Sequence, residues 1–336
     1  RKVDTAGFTT TVAGTGATGA AVDNAVGVLA TFGDATGIAV DANDYVFAVD
    51  SANAALRLIS PAGFVTTLAI AGASWPIGVA VGPSGDVYVT DNAKNELAAF
   101  QVSPSAPTAS PTAPTLPAET WAAGTVQGMA EGTRSTAQLN HPTGVFCDTI
   151  SNDVLVTEFG GHVVRRIDEH GRADVFIGTG VGTYAATGLG RAAAVFKPQD
   201  VVVAAGGEMY VLEWGACVVS AVTAAGSKTF LAGQSGTCVH AVGAGAAAGF
   251  AKVAGVAIFG STLVVAELSG HAVRSVNTAN GDAQVKAGVP GTPGGLDGPL
   301  GTGTFNEPVG TAVDGTGIAF VADRLNHVVR KVDLAG

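Results

Sequence analysis

Apolar and polar residues alternate along most of the chain in short bursts, and the bursts recur. Six of them align: VFAVDSANAALRLIS, VYVTDNAKNELAAF, VLVTEFGGHVVRRID, MYVLEWGACVVSAV, LVVAELSGHAVRSVN and AFVADRLNHVVRKVD. Each reads as a strand ending in a carboxylate, then a short polar or Gly-containing turn and a second strand. The carboxylates are Asp50, Asp91, Glu158, Glu213, Glu267 and Asp323. A further strand precedes each pair, often opened by proline: WPIGVAV, HPTGVFC, KPQDVVV and EPVGTAV, with ATGIAV and VAGVAI lacking it. A fourth follows, as in FVTTLAIAG, ADVFIGTG, SKTFLAGQ and AQVKAG. Gly-rich connections join the units and carry an apolar residue just before the next strand, as in STAQLNHP, AAAVFKP and TGTFNEP.

Four short antiparallel strands recurring every ~40–55 residues are the pattern of a β-propeller. A single twisted four-stranded sheet cannot cover its own faces, so it stacks on copies of itself, and radial stacking buries both faces. The expected fold is all-β: one six-bladed propeller of four-stranded antiparallel blades spanning 1–336. Blade 1 covers about 33–72, blade 2 about 75–124, blade 3 about 140–180, blade 4 about 196–234, blade 5 about 250–288 and blade 6 about 305–336. The sixth unit supplies three strands and stops. Its fourth is predicted to be FTTTVAG, Phe8 to Gly14, so that the N-terminal strand pairs with the last blade and removes the open edge. The opening RKVD repeats the last four residues of the sixth aligned stretch, as if a similar unit preceded it in a longer parent.

Composition narrows the function classes. Only 13% of residues are charged, 47% are apolar, and Gly supplies 48 residues, which suits many buried strands joined by tight turns. A formal net charge of −10, with Arg165, Arg166, Arg172, Arg274, Arg330 and Lys331 spread over separate blades, argues against nucleic acid as a partner. No apolar run reaches the roughly 18 residues of a membrane span, so this segment is expected not to insert into a bilayer. The chain begins with Arg rather than Met, and a piece of a longer protein is expected.

The units VADRLNHVVRKVD and VTEFGGHVVRRID resemble the NHL-repeat propeller family, whose pattern is strand, Asp, Asn-His and a basic-apolar strand. The second unit (NELAAF) lacks the basic residue, and the fourth (GACVVSAV) lacks both His and Arg. The resemblance implies a propeller that serves as an interaction surface. The family also includes RNA binders with a basic face, and an amidating lyase whose zinc is held by propeller histidines; its ligands find no match here.

Candidate chemistry is sparse. A side chain present at one place in every blade does a local job, so the six carboxylates are read as structural acceptors of backbone N–H groups in the turn between second and third strands. His162, His271 and His327 also occupy a repeat position, four residues after the carboxylate, while His141, His170 and His240 lie in unrelated contexts without metal-ligand spacing. No catalytic residue, cofactor or metal site is expected. Cys217 opens a third strand and Cys238 follows a fourth, at one rim of the same blade, which makes them a candidate disulfide; Cys147 reads as a buried apolar residue. One unit is interrupted by SPSAPTASPTAPTLP, Ser103 to Pro117, whose Pro density favours extended backbone. Its Ser-Pro, Ala-Pro and Thr-Pro pairs resemble the hydroxyproline-glycosylated segments of plant and algal wall proteins. The glycosylation candidates are Ser103, Pro104, Ser105, Pro107, Thr108, Ser110, Pro111, Thr112, Pro114, Thr115 and Pro117; no N-x-Ser/Thr acceptor occurs. The expected function is a non-catalytic extracellular or cell-surface module, part of a larger glycosylated surface or filament protein. It would assemble with protein subunits or glycans, a homo-oligomer or filament included. The alternatives are a metal-dependent propeller enzyme of lyase or lactonase type and the sensor ectodomain of a membrane protein.

Overall fold

The computed structural model describes residues 7–24, 26–102, 115–116, 119–123 and 127–334. Six antiparallel sheets follow one another around an axis. From the axis outward, blade 1 is Ala35–Val40, Val46–Asp50, Ala55–Ile59 and Val65–Ile70; blade 2 is Pro76–Val81, Asp86–Asp91, Glu96–Gln101 and Glu119–Ala123. Blade 3 is Pro142–Cys147, Val154–Glu158, Val163–Ile167 and Ala173–Ile177; blade 4 is Pro198–Val203, Met209–Glu213, Val218–Val222 and Ser227–Gly233. Blade 5 is Val253–Phe259, Thr262–Glu267, Ala272–Asn277 and Ala283–Gly288, and blade 6 is Pro308–Val313, Ile318–Asp323, Val328–Asp333 and the N-terminal strand Thr9–Ala13. That strand closes the ring by pairing Thr9 with Val332, Thr10 with Lys331 and Thr11 with Arg330, then shifting register before Ala13 meets Val329. Among the described residues there is no α-helix, and no helix long and apolar enough to cross a membrane.

Because the strands alternate, each blade offers an apolar set to both neighbours, and the core divides into six packets, one per blade interface. Leu56, Leu58 and Leu68 of blade 1 meet Val79, Val87 and Phe100 of blade 2. Leu212 and Val219 of blade 4 meet Val256, Leu263 and Val265 of blade 5. The same exchange joins blade 6 to blade 1 through Ala322, Val329, Ile38 and Ala48. At roughly 25 cal/mol per Å² of apolar surface, this repeated burial is the main stabilising term.

The strand-end carboxylates are structural, but their partners correct the sequence expectation. Their backbone bonds run chiefly to the segment entering the blade's own first strand rather than into the turn. Asp50 accepts Gly33 and Asp34 N–H, Asp91 accepts Ser74 and Trp75 N–H, and Glu158 accepts Asn140 N–H. Glu213 accepts Phe196 N–H, Glu267 accepts Ala251 N–H, and Asp323 accepts Asn306 N–H. Only Asp91 adds a turn N–H, that of Lys94. The reason is that the entering segment passes beside the carboxylate before its own ladder begins, leaving N–H groups that need an acceptor.

Each carboxylate outside blade 2 also grips a buried cation. Arg57, Arg165, Arg274 and Arg330, seven residues on in the third strand, pair with Asp50, Glu158, Glu267 and Asp323, with both partners fully buried. In blade 4 the equivalent residue is Ser220, and Lys228 from the fourth strand takes the place of the arginine, 2.6 Å from Glu213. The cations donate onward to carbonyls of the connection: Arg165 to Ala130 and Gln138, Lys228 to Ala185 and Ala194, and Arg330 to Thr304 and Leu296. Arg57, Arg274 and Arg330 also lie over Phe32, Phe250 and Phe305, the apolar residues that precede each first strand. Blade 2 carries Ala98 instead, and the connection into blade 2 runs only from 71 to 75, too short to need pinning.

A second repeated device ties each blade to the next. The residue four after the carboxylate (Ala54, Asn95, His162, Cys217, His271, His327) is left-handed in every blade, with φ between 48° and 57°. His162 Nδ1 accepts Lys197 N–H, His271 Nδ1 accepts Glu307 N–H, Asn95 accepts His141 N–H, and the His327 ring bonds the Gly33 carbonyl. At the same slot in blade 4, Cys217 is disulfide-bonded to Cys238 in the connection to blade 5. Cys147 is free and buried, and burial pushes its thiol up to about 12.

The glycosylation candidates Ser103 to Pro114, with Pro117, lie outside the described residues. Backbone at Thr115–Leu116 pairs in parallel with Ala69 and Ile70 at the outer edge of blade 1, before Glu119–Ala123 completes blade 2.

Removing one member of a buried pair strands the other. Arg274→Met should therefore lower the unfolding free energy by about 3–5 kcal/mol in chemical denaturation, and a Glu267→Leu/Arg274→Met double variant should recover part of that. A single-variant cost below about 1 kcal/mol would show that the pair is not what holds the connection.

Candidate binding site at the axial mouth

The six first strands surround a channel of about 210 Å³, which opens at one end into a cavity of about 240 Å³; the two share Thr36, Ile77, Gln199, Ala254 and Val309. Two repeat slots border this mouth, and from them Asp34, Trp75, Phe159, Trp214, Leu268 and Arg324 line it. One is the residue just before the first strand: Asp34, Trp75, His141, Lys197, Lys252 and Glu307. The other is the residue just after the carboxylate: Ser51, Asn92, Phe159, Trp214, Leu268 and Arg324. His141, Lys197, Lys252 and Glu307 share a left-handed backbone that Asp34 and Trp75 do not, and the side chains at both slots differ from blade to blade.

The mouth is aromatic and basic on one side. Phe159 and Trp214 pack edge to face with ring centroids 5.4 Å apart, and Trp75 is 46% exposed. Lys252 Nζ stands 3.7 Å from the Trp214 ring centre, and Lys197 Nζ lies 5.5 Å from the same ring and 5.2 Å from Phe159. Asp34 and the ion pair Arg324–Glu307 complete the rim on blades 1 and 6. Trp75 thus leaves an apolar face in water beside the partly buried Phe159 and Trp214 and their lysines. The cavity is smaller than the roughly 300–1,000 Å³ that engulfs a drug-sized molecule, so it admits one ring or side chain rather than a whole ligand.

The NHL repeat family matches residues 74–100, which is blade 2 from Ser74 to the end of its third strand. The six-bladed propeller thus carries an NHL repeat in its second blade. No curated protein is significantly similar to it in sequence. Among solved structures, a protein of unknown function from Bacteroides thetaiotaomicron superposes with a TM-score of 0.73 at 18% identity, covering 97% of this chain and 75% of that one. An auxiliary nutrient binding protein from the same organism gives 0.72 at 16% identity, covering 97% and 76%. Virginiamycin B lyase from Staphylococcus aureus gives 0.55 at 14% identity, covering 90% and 95%. At these identities the likeness is one of fold.

The propeller holds one departure from its repeat on the axis itself. Five first strands carry glycine at their third position (Gly37, Gly78, Gly144, Gly255 and Gly310), and a Cβ at Gly78 or Gly310 would collide with the next blade's carbonyl oxygen. Blade 4 has Asp200 there. Its carboxylate fits because Gly144 of blade 3 leaves room beside it, and it accepts N–H bonds from Val201 at 2.9 Å and from Val256 of blade 5 at 2.8 Å. Burial pushes Asp200 up to about 7, and the two N–H bonds only partly oppose this. The signal in the sequence is KPQD at this place in blade 4, where all five other blades end the same four residues in glycine. The rim aromatics were missed, because the alignment drew attention to the constant carboxylate beside them.

The residues singled out from sequence are not brought together. The six carboxylates each stay within their own blade, and His162, His271 and His327 each serve a separate junction. His141 bonds Asn140, His240 contacts Glu267 at 2.8 Å, and His170 is exposed beside Glu169. Among the described residues no three His, Cys, Asp or Glu side chains are grouped as metal ligands. Burial also pushes Glu158 up to about 7 and Asp323 up to about 6, in spite of the guanidinium each touches.

A carboxyl whose folded pKa is raised contributes stability that is full below its ordinary value of 3.8 and is lost as pH rises through about 7. Asp200→Asn keeps the neutral form at all pH. Relative to wild type it should therefore gain about 2 kcal/mol of unfolding free energy between pH 5 and pH 8, allowing for water in the channel. Denaturation at the two pH values reads this directly; an unchanged difference would mean that Asp200 titrates normally.

Proposed function

We propose that this propeller is a non-catalytic binding module of an extracellular or cell-surface protein, and that it captures carbohydrate at the axial mouth. The observation that carries this reading is the aromatic set Trp75, Phe159 and Trp214 lining the mouth, Trp75 exposed and the other two partly buried, at slots whose side chain differs from blade to blade. A sugar ring presents C–H faces that stack on an indole and hydroxyls that bond the charged rim, and the cavity has room for one such ring. The fold shared with auxiliary nutrient binding proteins of Bacteroides supports capture of a ligand, and the Cys217–Cys238 disulfide supports an oxidising compartment. The Ser103 to Pro117 insertion falls in sequence between the third and fourth strands of blade 2, and its Pro, Ser and Thr content supports O-linked glycan or contact with a neighbouring subunit.

Two measurements test the reading. Two of the chain's three tryptophans border the mouth, so titration with neutral and acidic oligosaccharides should change intrinsic fluorescence; Trp214→Ala should weaken binding by about tenfold or more. Binding that is indifferent to Trp214 and Trp75, or a complete absence of carbohydrate binding, would overturn it. Mass spectrometry of the peptide from Val102 to Thr120 of native protein should find O-linked sugar, and an unmodified peptide would remove the glycosylated-surface part of the proposal.

A further inference from the structure

Lys197 and Lys252 are unusual in two respects. Both reach over the same indole, Trp214, so two cations of adjacent blades converge on one platform. Neither forms an ion pair within the described residues. The nearest repeat carboxylates cannot serve them, since Glu213 is bound to Lys228 and Ser220, and Glu267 to Arg274 and His240. In a chain of net charge −10, two unpaired ammonium groups gathered at a half-buried spot are an exception. Desolvation and the neighbouring Lys197 both lower the pKa of Lys252, which accords with a missing counter-ion.

We propose that Lys197 and Lys252 form an anion subsite, so that the ligand is an acidic carbohydrate whose carboxylate or sulfate sits between the two ammonium groups while its ring meets the aromatic side of the mouth. This rests on the mouth being the carbohydrate site. Charge-assisted bonds to both lysines would relieve their mutual repulsion and fix the orientation of the ring. The far side of the rim, with Asp34 and the Glu307–Arg324 pair, leaves no second basic spot, so the polarity of the mouth sets the direction in which a sugar chain enters.

The test uses the full chain, with fluorescence titration and calorimetry against three probes: a galacturonate oligosaccharide, its neutral methyl ester and a sulfated galactan oligosaccharide. Wild type should prefer at least one acidic probe over the ester by about tenfold or more at low salt, with the preference shrinking as salt rises. Preference for the carboxylated or the sulfated probe identifies the anion. Lys197→Gln/Lys252→Gln should abolish the preference, whereas Lys286→Gln, in the outer strand of blade 5, should leave the preference and the melting temperature unchanged. Equal binding of acidic and neutral probes, or a preference that survives the double variant, overturns the subsite and leaves the mouth reading intact. Failure of all three probes to bind overturns both. Tight binding of polyglutamate in place of any sugar overturns the carbohydrate class.

Discussion

A carboxylate buried at the end of a strand is the constraint on which most of this ring depends. Left alone in the interior it would be prohibitively costly, and the fold answers with three sets of donors. N–H groups of the entering segment take one side of it, and a cation seven residues on takes the other. That cation also donates to carbonyls of the connecting loop, so one ionic pair ties a strand, its blade entry and a Gly-rich loop into one unit. Blade 2 shows what the cation is for. Where the connection shrinks to 71–75 the cation is replaced by Ala98, yet Asp91 keeps its backbone donors. Blade 4 makes the same point from the other direction, since Lys228 reaches across from a different strand to hold the loop that Ser220 cannot.

The junctions between blades follow a parallel logic. A left-handed residue after each carboxylate turns its side chain toward the next blade, and Asn, His or Cys at that slot each make a link of a different kind. In blade 4 the link is covalent, in the blade that also lacks the third-strand arginine. Ala54 in blade 1 can make no such bond, and there Ser51 and Thr36 reach the blade 2 carbonyls of Pro76 and Ile77 instead. The ring is thus held by interchangeable local solutions to one geometric problem, with the N-terminal strand supplying the last edge.

Much of this was legible in the residues. The alternating bursts and their spacing follow from local strand physics, so blade number, strand order and closure by Thr9–Ala13 could be read directly. The nearness of Cys217 and Cys238 followed from antiparallel order. The partners of the carboxylates could not be read, because Glu158 meets Asn140 and Arg165 meets Ala130 across a loop of no regular pattern. The axial mouth escaped for a different reason. Its slots adjoin the constant positions and look like noise in an alignment of units, although variation at a fixed backbone position is what a binding surface requires.

That distinction explains where a propeller of this kind can change without losing its fold. Asp200 can stand in a ring of glycines only because Gly144 leaves a space and Val256 offers an N–H, so even a single exception on the axis needs compensation from both neighbouring blades. At the rim no such compensation is needed. Trp75, Lys197 and Glu307 occupy equivalent places at the start of three blades, and each projects into solvent or across the mouth rather than into a blade interface. Side chains there answer to whatever enters the mouth, while the carboxylates a few ångströms below answer to the chain itself.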